Sequence, residues 1–474
     1  MQSWKSIVKG CQEWIEKHIS ASLPYTWNRY WNHCSEYTWE FFYVEGKENE
    51  TISQVRQRLN EAKRQRAWTA INWQGESSTL SGADAVAYPD MANVLTTGTR
   101  PNIKHFYRSL HDKLGDVIDP DEELSIPELI KRIITHSDVI RYLKQRNTSS
   151  SIDQLQITID NDLYVNSFKD LSRKDENKWT GWFMGDGDGA SDYLKWVGTS
   201  RLNQPEEERK SEGDLTKEFS KEMRDWGKEF KENKNNKSLP HGRVIYAGGD
   251  DFLGVMYRKD QVLGPKVCLK WLSTFKSAVW NGLGTTNPDK PNEKITASVG
   301  FVWASPQVPQ RDVLQHTRLA ENSAKRGGKD RVAIRVLFAG GNHLEWVCPW
   351  RILEDGLFEK YRDRNGVTNA LENASWTHFY NDVAVLESRH AFGATLDESC
   401  DVAIALMNIY FPDLPNLLSE ENLWNTKDEY KVIQAGILGN KPAKESEGQI
   451  NINTEINQWV INLAKVGFYL CSNT

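Results

Sequence analysis

Six cysteines are spread over 474 residues, at Cys11, Cys34, Cys268, Cys348, Cys400 and Cys471, and no two form a C-x-x-C pair. This spacing argues against a structural zinc site or a disulfide framework and points to a reducing, cytoplasmic setting. Long apolar runs are missing too. No stretch approaches the roughly 20 apolar residues of a membrane span, and the opening MQSWKSIVKGCQEW lacks the apolar core of a signal peptide. Neither export nor a membrane partner is expected. There is no basic excess: net charge is −6 and the pI about 6.0, so any nucleic-acid contact must come from local patches. Several catalytic signatures are also absent, namely the P-loop GxxxxGK[ST], HExxH, GxSxG and the full calcium-loop pattern. Ser/His/Asp catalysis has no local support. His111-Asp112 is the dipeptide used by metal phosphohydrolases, but it stands without a convincing set of further ligands.

The chain does carry material for sizeable cores: hydrophobic residues make up 39%, charged residues 26%, and there are 19 tryptophans. Its length predicts two or three domains. In WNRYWNHCSEYTWEFFY, residues Trp27, Tyr30, Trp31, Cys34, Tyr37 and Phe41 recur at helical spacing. That stripe fits a core face or a partner-binding face. The run TISQVRQRLNEAKRQRA (51–67) reads as a helix with a basic second half, a solvated face or an RNA contact. SIPELIKRIITHSDVIRYLKQR (125–146) is predicted as a single helix, capped by Ser125 with Pro127 in its first turn. The linker-like NTSSS (147–151) follows, and a boundary is placed near it. The expected division is a mainly helical region at 1–150, a catalytic domain at 151–345 and a helical domain at 346–474.

Between these boundaries the pattern alternates. A strand at GWFMGDGDG precedes helices through 237, a hairpin at 243–258, a helix at 265–280 and a strand at 294–304. A helix at 311–326 and a strand at 330–338 follow. The order predicts an α+β fold built on a ferredoxin-like βαββαβ sheet with helices on one face.

The hairpin VIYAGGDDFLGVMY carries Asp250 and Asp251 side by side at its tip. Adjacent carboxylates repel and need a cation or abundant solvent. In the βαββαβ order the first strand lies beside the hairpin, so Asp186 of MGDGDG converges on the pair, with Asp188 two residues on. Mg²⁺ uses one or two carboxylates plus phosphate oxygens and water, and two such ions can activate a hydroxyl while steadying a leaving pyrophosphate. Gly248 and Gly249 permit unusual backbone angles and close approach of a triphosphate. Lys325 and Lys329, four apart in AKRGGKDRV, suit either a triphosphate tail or simply the helix dipole. Taken alone, GGDD is also ordinary turn chemistry. The motifs together, in this order, point to a metal–nucleotide site of the polymerase/cyclase Palm type.

MGDGDGASDYLK, VIYAGGDDFLGVMY and LAENSAKRGGKDRVAI resemble the Palm domain of the large subunit of type III CRISPR effector complexes, the III-B branch most of all. The similarity is clear over roughly residues 180–340. The resemblance implies an enzyme that turns ATP into cyclic oligoadenylate when its complex has paired guide RNA with target RNA. It implies metal binding by Asp186, Asp250, Asp251 and Asp188, with Mg²⁺ or Mn²⁺ as the ion, and phosphate contacts by Lys325 and Lys329. The implied partners are guide RNA, target RNA and the backbone, small and guide-end-capping subunits, in a prokaryotic cytoplasm. Three departures stand out: no credible HD nuclease domain, no zinc-binding cysteine cluster, and Gly189 where relatives often have asparagine. The family usually has two Palm domains; residues 1–150 show no catalytic motif, and the resemblance leaves room for a degenerate first Palm there. The rival readings are a stand-alone cyclic-dinucleotide synthase and a non-catalytic scaffold of a guide-RNA complex.

Overall fold

A computed structural model describes every residue except 1, 20–23, 48–49, 67–70, 72, 92–99, 148–177, 204, 206–208, 234–237, 259–260, 281–294, 394–395, 397–398, 428–429, 443–450 and 473–474. Most of the linker-like NTSSS falls outside the described residues. The chain divides into two compact units, Met1–Asp170 and Leu171–Thr474.

The described part of the first unit is built from six helices: α1 (Gln2–His18), α2 (Tyr25–Tyr37), α3 (Ile52–Arg64), α4 (Arg100–Leu114), α5 (Ile126–Ile133) and α6 (Ser137–Asn147). Trp27, Tyr30, Trp31 and Cys34 of α2 are buried and share a core with Phe106 and Tyr107 of α4 and Ile130 of α5. The aromatic stripe is therefore a core face over most of its length. Tyr37 and Phe41 depart from it and are exposed. The single helix expected at 125–146 is two. Ser125 and Glu128 close a capping box at the start of α5. At its far end Thr135 Oγ1 donates to the Arg132 carbonyl at 2.7 Å, and His136 Nδ1 accepts from Asp138 N at 3.2 Å. Side chains thus compete with the backbone ladder and break it there.

The second unit is organised by a six-stranded sheet of order β2-β3-β1-β4-β5-β6. Its strands are β1 (Thr180–Asp188), β2 (Arg243–Gly248), β3 (Asp251–Met256), β4 (Thr296–Ala304), β5 (Arg331–Leu337) and β6 (His343–Pro349). The β2-β3-β1-β4 portion is antiparallel throughout, and β5 joins β4 in parallel. That is the expected split βαββαβ order, extended by two strands. β6 has no counterpart in the expected order. It is an antiparallel partner of β5, and the AGGN turn before it is the signal that would have announced it.

Alternation along the strands sorts two cores. Helix α7 (Ala190–Ser200) follows β1. Phe183, Phe252, Val299 and Phe301 face Trp226 and Phe230 of α8 (Glu212–Glu232) and Leu269 of α9 (Pro265–Leu272). Trp182, Val302 and Ala333 face the opposite side with Val313, Ala320 and Ala324 of α10 (Gln310–Arg326). The βαββαβ helices thus share one face as expected, and α10, which connects β4 to β5, covers the other. The helix expected at 265–280 ends at Leu272, and Phe275–Trp280 forms a separate π-helical turn. Ser273 and Thr274 explain the break, since their hydroxyls donate to the Lys270 and Trp271 carbonyls. Beyond β6 the chain is mainly helical. Its last helix, Ile452–Cys471, packs on β6, where the Trp459 indole donates to the Val347 carbonyl at 2.8 Å.

Candidate active site

The two-residue tip Gly249-Asp250 joins β2 to β3 through the Gly248–Asp251 pair. Gly249 has φ +67° and Asp250 is not among the positive-φ residues, the sign pattern of a type II′ hairpin turn that asks for glycine at its first position. A side chain added at Gly249 would point into open space, so a ligand can approach the main chain there.

On β1 the last rung with β3 pairs Gly185 with Phe252. One step further, Asp186 comes level with Asp251, and Gly187 N donates to the Asp250 carbonyl at 3.1 Å. The carboxylates of Asp186, Asp250 and Asp251 consequently offer oxygens that all lie within 4.8 Å of one another. The convergence expected from strand order is what the fold delivers.

Helix α10 supplies the fourth member. Gly300 of β4 lets it lie unusually close, because a Cβ there would sit 2.2 Å from Glu321 N and 2.4 Å from the Thr317 carbonyl. Lys325, one turn beyond Glu321, reaches Asp186 at 2.5 Å and Glu321 at 2.6 Å. One lysine thus faces four acids. Burial together with neighbouring Asp186 raises the Asp250 carboxyl above its ordinary range. Partial desolvation of an otherwise exposed carboxyl, a hydrogen bond shared with Asp186 and the charges of Asp186 and Asp250 push Asp251 up to about 7. Lys325 is held protonated: Asp186 and Glu321 outweigh its partial burial. Three converging hard oxygen ligands whose negative charge Lys325 offsets only in part fit a divalent cation of the magnesium class.

Asp188 is not brought into this cluster. It is 4% exposed, and its oxygens accept from Ser298 Oγ at 2.6 Å, Thr296 Oγ1 at 2.9 Å and Asp330 N at 2.9 Å. Burial raises its pKa against those bonds. Its role in the fold is to pin the turn between α10 and β5. That turn is also held by Lys276, 2.7 Å from Asp330. Buried Arg331 adds bonds to the Gly436 and Ile437 carbonyls. Lys329 lies in the same turn, three residues past the end of α10, exposed and with φ +68°. Lys325 and Lys329 therefore do not lie on one helix face. Gly248 shapes the hairpin, its carbonyl accepting from the Tyr246 hydroxyl at 3.2 Å.

Sequence reasoning missed Glu321, Ser298, Asp330 and Lys276. Glu321 had a signal, since it precedes Lys325 by four residues on one helix face. The other three meet only through the fold. His111 of α4 has an ordinary structural role, its Nδ1 lying 2.7 Å from the Ile118 carbonyl. Among the described residues, Asp186, Asp250 and Asp251 form the one cluster of three such ligands.

Residues 181–333 match the family described as Cas10/Cmr2, second palm domain, a segment that contains every site residue above. No curated protein matches the chain. Among solved structures, it is similar to the Csm1-Csm4 cassette in complex with cA4, with 16% identity and a TM-score of 0.34 over 65% of this chain and 39% of that one. It is also similar to Csm1 in T.onnurineus, with 15% identity and a TM-score of 0.31 over 61% and 38%. The chain spans about two fifths of the length of these solved relatives.

Proposed function

We propose that this chain is the Palm-bearing subunit of a type III CRISPR RNA-guided effector complex, of the III-B branch, and converts ATP to cyclic oligoadenylate when the complex binds target RNA. The observation that carries the reading is the convergence of Asp186, Asp250 and Asp251 within 4.8 Å beside the Gly249 turn, inside the segment matching the Cas10/Cmr2 second palm domain. The cyclic product follows from the family resemblance. HD nuclease activity is not expected of these residues.

In the proposed reaction an acceptor 3′-hydroxyl oxygen forms a bond to an α-phosphorus, the bond from that phosphorus to pyrophosphate breaks, and the hydroxyl proton passes to solvent. Asp186, Asp250 and Asp251 would hold Mg²⁺ or Mn²⁺, which supplies charge neutralisation and a more acidic hydroxyl when bound. The chain's own part is chiefly positioning, as phosphoryl transfer requires. Gly249 leaves the turn open to a polyphosphate. Lys325 carries its charge to the edge of the acids, within reach of a phosphate oxygen there. Asp188, through Asp330 N, holds the turn that carries Lys329.

The test uses the tagged chain isolated from its host with its bound subunits and RNA. That RNA is sequenced, and the eluate is incubated with labelled ATP and Mg²⁺, with and without RNA complementary to the guide. Cyclic oligoadenylate formed only with complementary RNA supports the proposal. Guide RNA without ATP conversion favours a scaffold, turnover without any RNA favours a stand-alone synthase, and absence of guide RNA overturns the family reading.

A further inference from the structure

The first unit exposes a run of large aromatic side chains on one short segment. Past the end of α2 the chain runs on without helix or strand, and Trp39 (48%), Phe41 (53%) and Tyr43 (82%) stand exposed, with exposed Glu40 and half-buried Phe42 between them. Three exposed rings so close in sequence offer planar faces on which bases can stack.

Helix α3 lies along this run. Its Thr51–Gln54 capping box is complete, yet it contains no fully buried residue. Arg58 ties it down, donating to the Glu45 carbonyl at 2.5 Å and pairing with Glu50 at 2.6 Å, and Arg66 stands 3.5 Å from Glu40. Ile52, Val55, Leu59 and Ala62 are half-buried on one side, while Arg56, Gln57, Asn60, Lys63 and Arg64 are exposed. From Ile52 to Arg66 there are five basic residues and one acid, against five glutamates and one lysine over the ring-bearing stretch 36–50; the cationic character therefore lies on α3, where Arg56, Lys63 and Arg64 have no ion-pair partner among the described residues. Lys131 adds a cation 6.0 Å from the Trp39 ring. The centre of a protein–protein interface is depleted of charge. Flat exposed rings beside the unpaired cations of α3 suit a single strand, whose bases stack on the rings while its phosphates meet those cations.

We propose that Trp39, Phe41 and Tyr43, with the basic side of α3, form a binding surface for single-stranded nucleic acid. This deepens the proposed function, and rests on it only for which strand the surface meets in the cell. The test measures binding of the full chain to a fluorescein-labelled 15-nucleotide single-stranded RNA, the same sequence as DNA, and an RNA duplex, between 50 and 200 mM salt. Single strands bind in preference to duplex. The double variant F41A/Y43A weakens binding by about tenfold per ring with unchanged melting temperature. The variant R56Q/K63Q/R64Q weakens it and flattens the slope of log affinity against log salt by about 0.7 for each phosphate no longer neutralised. Preference for RNA over DNA identifies the strand as RNA, and equal affinity leaves the shared chemistry. No binding by the unaltered chain, preference for duplex, or variants that bind like the unaltered chain overturn the proposal. ATP conversion by the intact, unaltered complex is read separately: its absence with single-strand binding retained defeats the catalytic reading alone.

Discussion

Neutralising Asp251 by Asp251→Asn should make the metal-free protein more stable while abolishing its response to metal. Two unit charges 4.8 Å apart, the outer limit among these carboxylates, repel by about 0.9 kcal/mol in water-like surroundings and about 3.5 kcal/mol at the effective dielectric of a protein surface. Asp251 is exposed, so solvent screening brings the gain toward the lower figure. Lys325, which relieves Asp186, reduces it further. A gain of about 1–2 kcal/mol corresponds to roughly 2–6 °C in melting temperature for a domain of this size. The carboxyl is pushed up to about 7 in the folded protein from an ordinary value of 3.8. Between those values the folded state holds more protons than the unfolded one, so stability falls as pH rises from about 4 to about 7 and then levels off. The advantage of Asp251→Asn is accordingly small at pH 5 and full at pH 8.

The assay is thermal unfolding in EDTA at pH 5 and pH 8, repeated with Mn²⁺. Saturation at about 100 times the dissociation constant stabilises the unaltered protein by about 2.7 kcal/mol, and Asp251→Asn should lose most of that. A variant that melts lower than the unaltered chain in EDTA at pH 8, or that is stabilised equally by Mn²⁺, refutes the idea that uncompensated charge at this tip awaits a cation.

Four further outcomes follow from the same geometry. Asp188→Asn should destabilise the fold by about 1–3 kcal/mol, by disturbing a buried acceptor of three hydrogen bonds, yet keep Mn²⁺ binding by calorimetry where Asp186→Asn loses it. Lys276→Met leaves Asp330 buried without its partner and should cost about 3–5 kcal/mol at neutral pH. Denaturant titration should show that loss shrinking as pH falls and Asp330 takes up a proton. Gly300→Ala drives a methyl into the backbone of α10 and should cost about 1–3 kcal/mol, with nucleotide affinity falling as Lys325 is displaced, as equilibrium dialysis with ATP would report. Gly249→Ala, at φ +67°, should cost about 1–2 kcal/mol in backbone strain, read by denaturant unfolding.

The order of strands and the meeting of Asp186 with Asp250 and Asp251 were legible because they depend on local signals. Period-two runs mark β1 to β5, a Gly-Gly-Asp-Asp tip marks the hairpin, and the βαββαβ order then leaves one place for β1. What was not legible depends on distances that only the packed fold sets. Asp186 and Asp188 point to the same side of β1, and nothing in MGDGDG distinguishes them. They differ because Asp188 falls opposite Thr296 in the β1–β4 register, within reach of Ser298 and of a turn 142 residues away. Asp186, two rungs nearer the hairpin, has Asp250, Asp251 and Lys325 about its carboxylate among the described residues. The same logic separates Lys325 from Lys329. Four residues apart suggests one helix face, but α10 ends at Arg326, and the left-handed conformations of Gly328, Lys329 and Asp330 carry the second lysine out of register.

These separations bear on how the site works as a unit. Asp186 shares β1 with Asp188, Asp188 holds the main chain of Asp330, and the Asp330 carboxylate is fixed by Lys276. The same turn is anchored by Arg331 to the segment at 436–437. A displacement of that segment would therefore reach the turn through Arg331 and act on Lys325, which emerges from the adjoining end of α10. Its effect on Asp186 would come by two routes, the ion pair with Lys325 and the strand that Asp186 shares with Asp188. Arg331→Lys, which keeps the charge but not the fork of bonds, would loosen that connection while leaving the three acids untouched.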